Sequence, residues 1–474
     1  MSSLKVRCFN SARLFGIGCA LVLVLLLTTA IAAPAQTFNT LINFDGTNGC
    51  NPEWVSLVQG RNGNLYGVTT CGGSKGDGIF FKMTPGGTLT VLHSFEFSDG
   101  AAPFAGVTLA SDGNFYGTTA GGGVNGYGTA FKVTPSGTVT TLYSFCAQPN
   151  CADGSLPTAD LVQATNGNFY GTTFLGGAYG DGTAFKITPG GKLTTLNSFD
   201  STQGGPYAGL VQATNGNLYG TTYLGGAYNY GTIFKITPGG KLKTVHDFNF
   251  ADGVEPVAGL IQAADGNLYG TTSQGGANGH GTEFKVTPRG KLTVVYSFCA
   301  QTNCADGADP WAGLVQATDG NFYGATSNGG ANGYGTIFQI TSDGVLTTLH
   351  SFDGTDGADC WGAMVQATQG EFYGTTQSGG NSWEDGTVFS LSMGLGPFVA
   401  FVRDSGKVAQ KAQILGQGFT GTTGVSFNGT PANFTVRRDT YLVATVPQGA
   451  TTGYVTVTTP SGTLQSNVKF RVLK

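Results

Sequence analysis

A six-residue string recurs seven times in this chain. It reads NGNLYG at 62–67, DGNFYG at 112–117, NGNFYG at 166–171, NGNLYG at 215–220, DGNLYG at 265–270, DGNFYG at 319–324 and QGEFYG at 369–374. The last glycine falls at 67, 117, 171, 220, 270, 324 and 374, so the spacings are 50, 54, 49, 50, 54 and 50 residues. A period this long exceeds one coil of a β-solenoid and suits a four-stranded propeller blade.

One unit shows the four strands. AGLVQA (208–213) is the first, and Asn215-Gly216 turns the chain into NLYGTT, the second. A glycine-rich loop leads to TIFKIT (232–237), and PGG turns it into KLKTVHDF (241–248). Asn-Gly or Asp-Gly between apolar runs is a strong hairpin signal, because both turn residues take positive φ. The strands do not alternate cleanly between apolar and polar residues, which fits sheets covered on both faces. Seven units predict seven blades. The seventh unit stops at TVFSLS (387–392), and TFNTLINF (37–44) matches LTTLNSF (193–199) with Phe38, Leu41 and Phe44 in register. The N-terminal residues are therefore predicted to supply the outer strand of the last blade, closing a ring without open edges.

Lys5, Arg7 and Arg13 precede an apolar run from Leu14 to Ala33, and Ala33-Pro34-Ala35 is an A-x-A site. Residues 1–35 therefore read as a cleaved export signal. An uncleaved membrane anchor is the competing reading, since the run is long enough to span a bilayer. No later segment could span one, so no membrane insertion of the mature chain is expected. Removing 1–35 takes away three Lys/Arg from 23 and none of the 27 Asp/Glu, leaving 20 against 27, a net charge of −7. No block of Lys/Arg remains, which argues against nucleic-acid partners.

FCAQPNCADG (145–154) and FCAQTNCADG (298–307) each carry C-x4-C inside a loop. In an exported protein these read as local disulfides, Cys146–Cys151 and Cys299–Cys304. A zinc site is the sharper alternative, but no histidine lies nearby in sequence, and neither metal nor cofactor is expected. Cys50 and Cys71 fall in two loops of one unit and are predicted to pair, leaving Cys360 free.

The pattern NGN[LF]YGTT…GG…GT.FK.TP.G over about 37–393 resembles the Gloeobacter/Verrucomicrobia (GloVer) tandem repeat of exported "choice-of-anchor" proteins. QGEFYG is the weakest copy, since Gln369 and Glu371 replace the usual residues. The resemblance implies a secreted or surface protein with a variable terminal domain, and it implies no activity and no catalytic residues. From 394 to 474 the pattern changes to short alternating strands, which predict an Ig-like sandwich. ILGQGF (414–419), GVSFNGTPANF (424–434) and VPQGATTGYVTV (446–457) resemble the IPT/TIG domain, which implies a spacer or binding module. The expected architecture is all-β: signal 1–35, seven-bladed β-propeller 36–393 and Ig-like domain 394–474.

Catalytic signals are weak. His93, His246 and His350 share one repeat position with Tyr143, Asn197 and Tyr296, which favours a half-exposed strand residue over catalysis. Asp45, Asp99, Asp153, Asp252, Asp306 and Asp356 recur in the loop leading into each unit. They could ligate calcium, but an Asx turn onto the loop's own backbone is the simpler reading.

The aromatic pattern carries more information. Thirteen residues before each repeat glycine stand Trp54, Phe104, Thr158, Tyr207, Val257, Trp311 and Trp361. This position begins the innermost strand, on the face that carries the long loops. In a closed ring Trp311, Trp361, Trp54 and Phe104 are neighbours and form one aromatic sector, with Trp383 in a loop of the same face. Such rings either wedge between blades or offer a platform that stacks sugars or grips a partner. The function read from this is a monomeric, exported, non-catalytic recognition protein for a glycan or cell-surface protein. A propeller-based polysaccharide lyase or hydrolase and a structural spacer are the competing readings.

Overall fold

A computed structural model describes residues 36–381 and 385–473. The export-signal reading of 1–35 and the ligand reading of Trp383 lie outside the described residues. The described residues are all-β, apart from 3-10 segments of one turn each at Pro149–Cys151 and Thr302–Cys304. Seven four-stranded antiparallel sheets follow the seven repeats in a propeller-like series. In the fourth unit the strands are Val211–Gln212, Leu218–Thr222, Thr232–Ile236 and Leu242–Asp247, each pairing with the next. In the seventh unit the outermost strand is Thr37–Asn43, which pairs with Thr387–Ser392.

The structure explains the fixed letters of the repeat. All five residues of Leu218–Thr222 are buried, as are their counterparts in the other units. The buried tyrosine needs a partner for its hydroxyl, and the first residue of the motif supplies it in every unit. Asn62, Asn166, Asn215 and Gln369 donate Nδ2 or Nε2 to Tyr66, Tyr170, Tyr219 and Tyr373, at 2.8–3.0 Å. In the remaining units Tyr116, Tyr269 and Tyr323 donate to Asp112, Asp265 and Asp319, at 2.9–3.1 Å. QGEFYG therefore satisfies the same requirement as the other copies. Replacing Tyr219 by Phe leaves Asn215 without this acceptor and is expected to cost about 1 kcal/mol in urea unfolding. An unchanged midpoint would show the bond to be dispensable.

A second repeated device joins each unit to its neighbour. The glutamine that ends the innermost strand accepts a hydrogen bond from a backbone N–H of the preceding unit. Gln163, Gln212, Gln262, Gln316 and Gln366 bond Ser111, Thr165, Thr214, Ala264 and Thr318 at 2.7–3.0 Å. Gln59 of the first unit bonds Thr368 of the seventh at 3.0 Å, so the series returns on itself.

The second unit has Leu109 where the others have glutamine. There Leu109 shares a core with Leu415 and Tyr441 of the C-terminal segment. Arg61 sits 4.9 Å from the Tyr441 ring and donates to Ser111 O at 2.9 Å, while Thr440 donates to Arg61 O at 2.9 Å. The C-terminal segment thus packs where the glutamine series is interrupted.

That segment builds two four-stranded sheets and a parallel pair, Ser405–Lys407 with Arg471–Leu473. Ile414 and Leu442 from one sheet and Val425, Val455 and Val457 from the other lie in a single core.

The described cysteines form Cys50–Cys71, Cys146–Cys151 and Cys299–Cys304. Cys360 is free and fully buried, and burial pushes its thiol up to about 12. Three disulfides fit an extracellular or periplasmic compartment. No helix of the described residues is long and apolar enough to cross a membrane.

Candidate functional site

In six of the seven units the entering segment is fastened to the glycine-rich loop of that unit by a short antiparallel bridge, as at Ala101 with Gly121, Val254 with Gln274 and Ala308 with Asn328. The next residue takes a left-handed conformation (Ala102, Leu156, Glu255 and Asp309, φ 51–58°). Its N–H bonds a carbonyl of the preceding unit, as Glu255 does to Tyr230 O and Asp309 to His280 O. In those units two clamps therefore fix the chain just before the position thirteen residues ahead of the motif glycine.

At the axis the rings meet. Trp311 and Trp361 stack with centroids 4.9 Å apart, and Trp54 lies 5.3 Å from each. Tyr207, from the fourth unit, reaches across to Trp54 at 5.2 Å in an edge-to-face contact and also touches Phe174. All four rings are half-buried. Of the residues expected to form one sector, Trp54, Trp311 and Trp361 come together. Phe104 neither lines the cavity beside them nor makes a ring contact among the described residues. Tyr207 takes part in its place, because the ring is narrow enough for side chains from opposite units to touch.

These four rings and Thr158 line an axial cavity of about 200 Å³. A second layer of residues, two positions further along, lines it in every unit but the second. Six of the seven residues at this position are Ser56, Gly106, Gly209, Gly259, Gly313 and Ala363, and the seventh is Asp160. Asp160 was not singled out from sequence, although the signal is there: ADLVQA (159–164) stands where the fourth and sixth units have AGLVQA. Its Oδ1 is shut off from solvent and has no hydrogen-bond partner. Burial pushes the carboxyl up to about 7, partly opposed by the Gly106 N–H. Trp361 Nε1 is likewise closed to solvent and unpartnered. Nearby, burial raises Glu53, opposed by a bond from Gln377 at 3.1 Å, and Tyr207 is raised by burial and by the Glu53 charge.

The recurrent loop aspartates serve the loops themselves. Asp99, Asp252 and Asp356 accept from the N–H of Glu96, Asn249 and Asp353, and from His93, His246 and His350 at 2.7–2.9 Å. In the units with C-x4-C loops, Asp153 and Asp306 accept from Tyr143 and Tyr296 instead, both at 2.7 Å. Asp45 is out of register with this set: it accepts from Thr47 N–H, as Asp353 does from Thr355, and Asn48 fills the shared position. His280, remote in sequence from the C-x4-C loop, lies with its ligand atom within 4.8 Å of those of Cys299 and Cys304. Those sulfurs are engaged in a disulfide. The glycine-rich loops expose Val124, Tyr179 and Tyr228, and Phe250 is exposed in the loop leading into the fifth unit.

The Gloeobacter/Verrucomicrobia repeat model matches residues 28–166, 147–305 and 298–424. The chain belongs to this repeat family. The matches overlap and span most of the chain, consistent with a family defined by the sheet-forming unit rather than by a site. No curated protein matches the chain. Among solved structures, the periplasmic gluconolactonase of Pseudomonas aeruginosa is similar at 14% identity and TM-score 0.43, covering 70% of this chain and 97% of that one. A gluconolactonase of Xanthomonas campestris is similar at 15% identity and TM-score 0.39, covering 77% and 92%. An auxiliary nutrient binding protein of Bacteroides ovatus is similar at 12% identity and TM-score 0.43, covering 75% and 76%. Likenesses this distant carry no argument about activity.

Proposed function

We propose that this is an exported, non-catalytic recognition protein for a glycan or cell-surface partner. In this reading the seven sheets are the blades of a closed seven-bladed β-propeller, and 394–474 is an Ig-like domain of IPT/TIG type that acts as a spacer. The observation that carries the proposal is the cluster of Trp54, Trp311, Trp361 and Tyr207, half-buried over a cavity that holds an unsatisfied indole N–H. Half-buried rings at the mouth of a cavity keep apolar faces available for stacking, and an amphipathic indole binds through both its face and its N–H. Exposed rings on the surrounding loops extend the same surface.

Recognition is preferred to hydrolysis for a geometric reason. Glycoside hydrolysis commonly needs two carboxyl groups roughly 5–9.5 Å apart. Asp160 is the single carboxylate lining the axial cavity among the described residues. The test is a glycan array probed with wild type and with the Trp311→Ala/Trp361→Ala double variant. Loss of two anchoring rings is expected to weaken binding at least about tenfold. Binding that survives the double substitution unchanged would place the site elsewhere. New reducing ends or unsaturated products from mixed polysaccharides would replace recognition by catalysis.

A further inference from the structure

The axial cavity carries two unmet hydrogen-bonding groups of opposite kind. Asp160 Oδ1 is an acceptor and Trp361 Nε1 a donor, and both are closed to solvent and unpartnered. A buried group left unpartnered is destabilising relative to a satisfied one. What the cavity presents to a ligand is the rest of its lining, since these two atoms are shielded.

The sign of the ligand's charge follows from the lining. It holds a carboxylate, four aromatic rings and otherwise small or aliphatic residues, and no Lys, Arg or His. A carboxylate that lines the same cavity as aromatic rings complements an organic cation: the carboxylate pairs with its N–H groups while the rings attract its charge. The space of about 200 Å³ admits one small ring, given that a water takes about 30 Å³ of liquid volume.

We propose that the axial cavity binds a small organic ammonium ion, with the ammonium on the Asp160 carboxylate and the body of the ligand against the aromatic rings. The site deepens the recognition function above and rests on it. A free amino sugar offers both an ammonium and a ring that stacks on tryptophan. A simple alkylammonium meets the charge requirement alone.

Calorimetric titration of the purified protein near pH 7 separates these cases. The probes are glucosamine, glucose, cyclohexylammonium and cyclohexanol. Each amine is expected to bind at least about tenfold more tightly than its neutral counterpart, the value of one charge-assisted hydrogen bond. Asp160→Asn, which keeps the side-chain shape, is expected to bring each pair within about threefold while its melting transition stays at or above that of wild type. Glucosamine ahead of cyclohexylammonium assigns the natural ligand to amino sugars, and the reverse order assigns it to plain alkylammonium ions. Equal affinity for amine and neutral probe, or an Asp160→Asn protein that keeps the preference, overturns the ammonium site. Glycan binding that depends on Trp311 and Trp361 would still stand in that event, so the two failures are distinguishable.

Discussion

Replacing Glu283 by isoleucine is expected to stabilise the protein, and to do so most at alkaline pH. Glu283 is fully buried, and neither carboxyl oxygen has a partner. Its six counterparts are Phe80, Ala130, Ala184, Ile233, Ile337 and Val388, and each lies in an apolar core between units. Burial pushes the Glu283 carboxyl from 4.5 up to about 8, so the folded protein keeps a proton that the unfolded chain releases. Its contribution is fully present below about pH 4.5 and is lost as the pH rises through about 8. At roughly 1.4 kcal/mol per unit, the loss across that window is on the order of 4–5 kcal/mol.

Asp160, pushed up to about 7, tilts the stability of the wild type in the same direction. The informative quantity is therefore the difference between variant and wild type. Glu283→Ile should gain about 3 kcal/mol or more at pH ~8 and clearly less at pH ~5 in urea unfolding. Glu283→Gln should flatten the pH dependence without supplying the apolar contacts. A gain of equal size at both pH values would mean that Glu283 does not titrate in this window.

Gly324→Ala is expected to destabilise by about 2–3 kcal/mol, although alanine is the mildest substitution available. This glycine does not take positive φ; it is required for space. A Cβ at 324 would stand 2.6 Å from Phe338 Cζ and 2.9 Å from Leu314 Cδ2. Both neighbours are buried in the core between the fifth and sixth units, where they cannot retreat freely. The phenylalanine of the third strand covers the motif glycine in the other units too, as Phe131 covers Gly117 and Phe234 covers Gly220. Phe338→Leu removes the clashing atom, so the double variant should lose less stability than the sum of the two single ones, by about 1 kcal/mol or more. Strict additivity would exclude the steric explanation.

The last glycine of NGNLYG was legible as a repeated letter but not as a repeated clash. Sequence alone marks a glycine between tyrosine and threonine as a strand residue, and the reason for it comes from a phenylalanine about fourteen positions on. The tyrosine hydroxyl is similar: alternation of Asn, Asp and Gln at the first motif position looked like tolerance, and it is one hydrogen bond made with either polarity. The site was only partly legible. Trp54, Trp311 and Trp361 stood out because tryptophan is rare in this chain, with four in all. Asp160 passed unnoticed among many aspartates, because ADLVQA shows a departure from the repeat but not that the departure lines an axial cavity.

The sequence by itself determined what repeats: the hairpin turns, the four strands of each unit, the return of the N-terminal strand and the pairing of cysteines within a loop. These depend on contacts between residues near in sequence or one period apart, and a period is visible in letters. Only the tertiary structure decided what meets at the centre. Tyr207 touches Trp54 from three units away, Phe104 from the adjacent unit does not join the cluster, and Asp160 lines the same cavity as tryptophans from other units. Those contacts depend on the radius of the ring and the tilt of its strands, which are sums over all the units and are written in none of them.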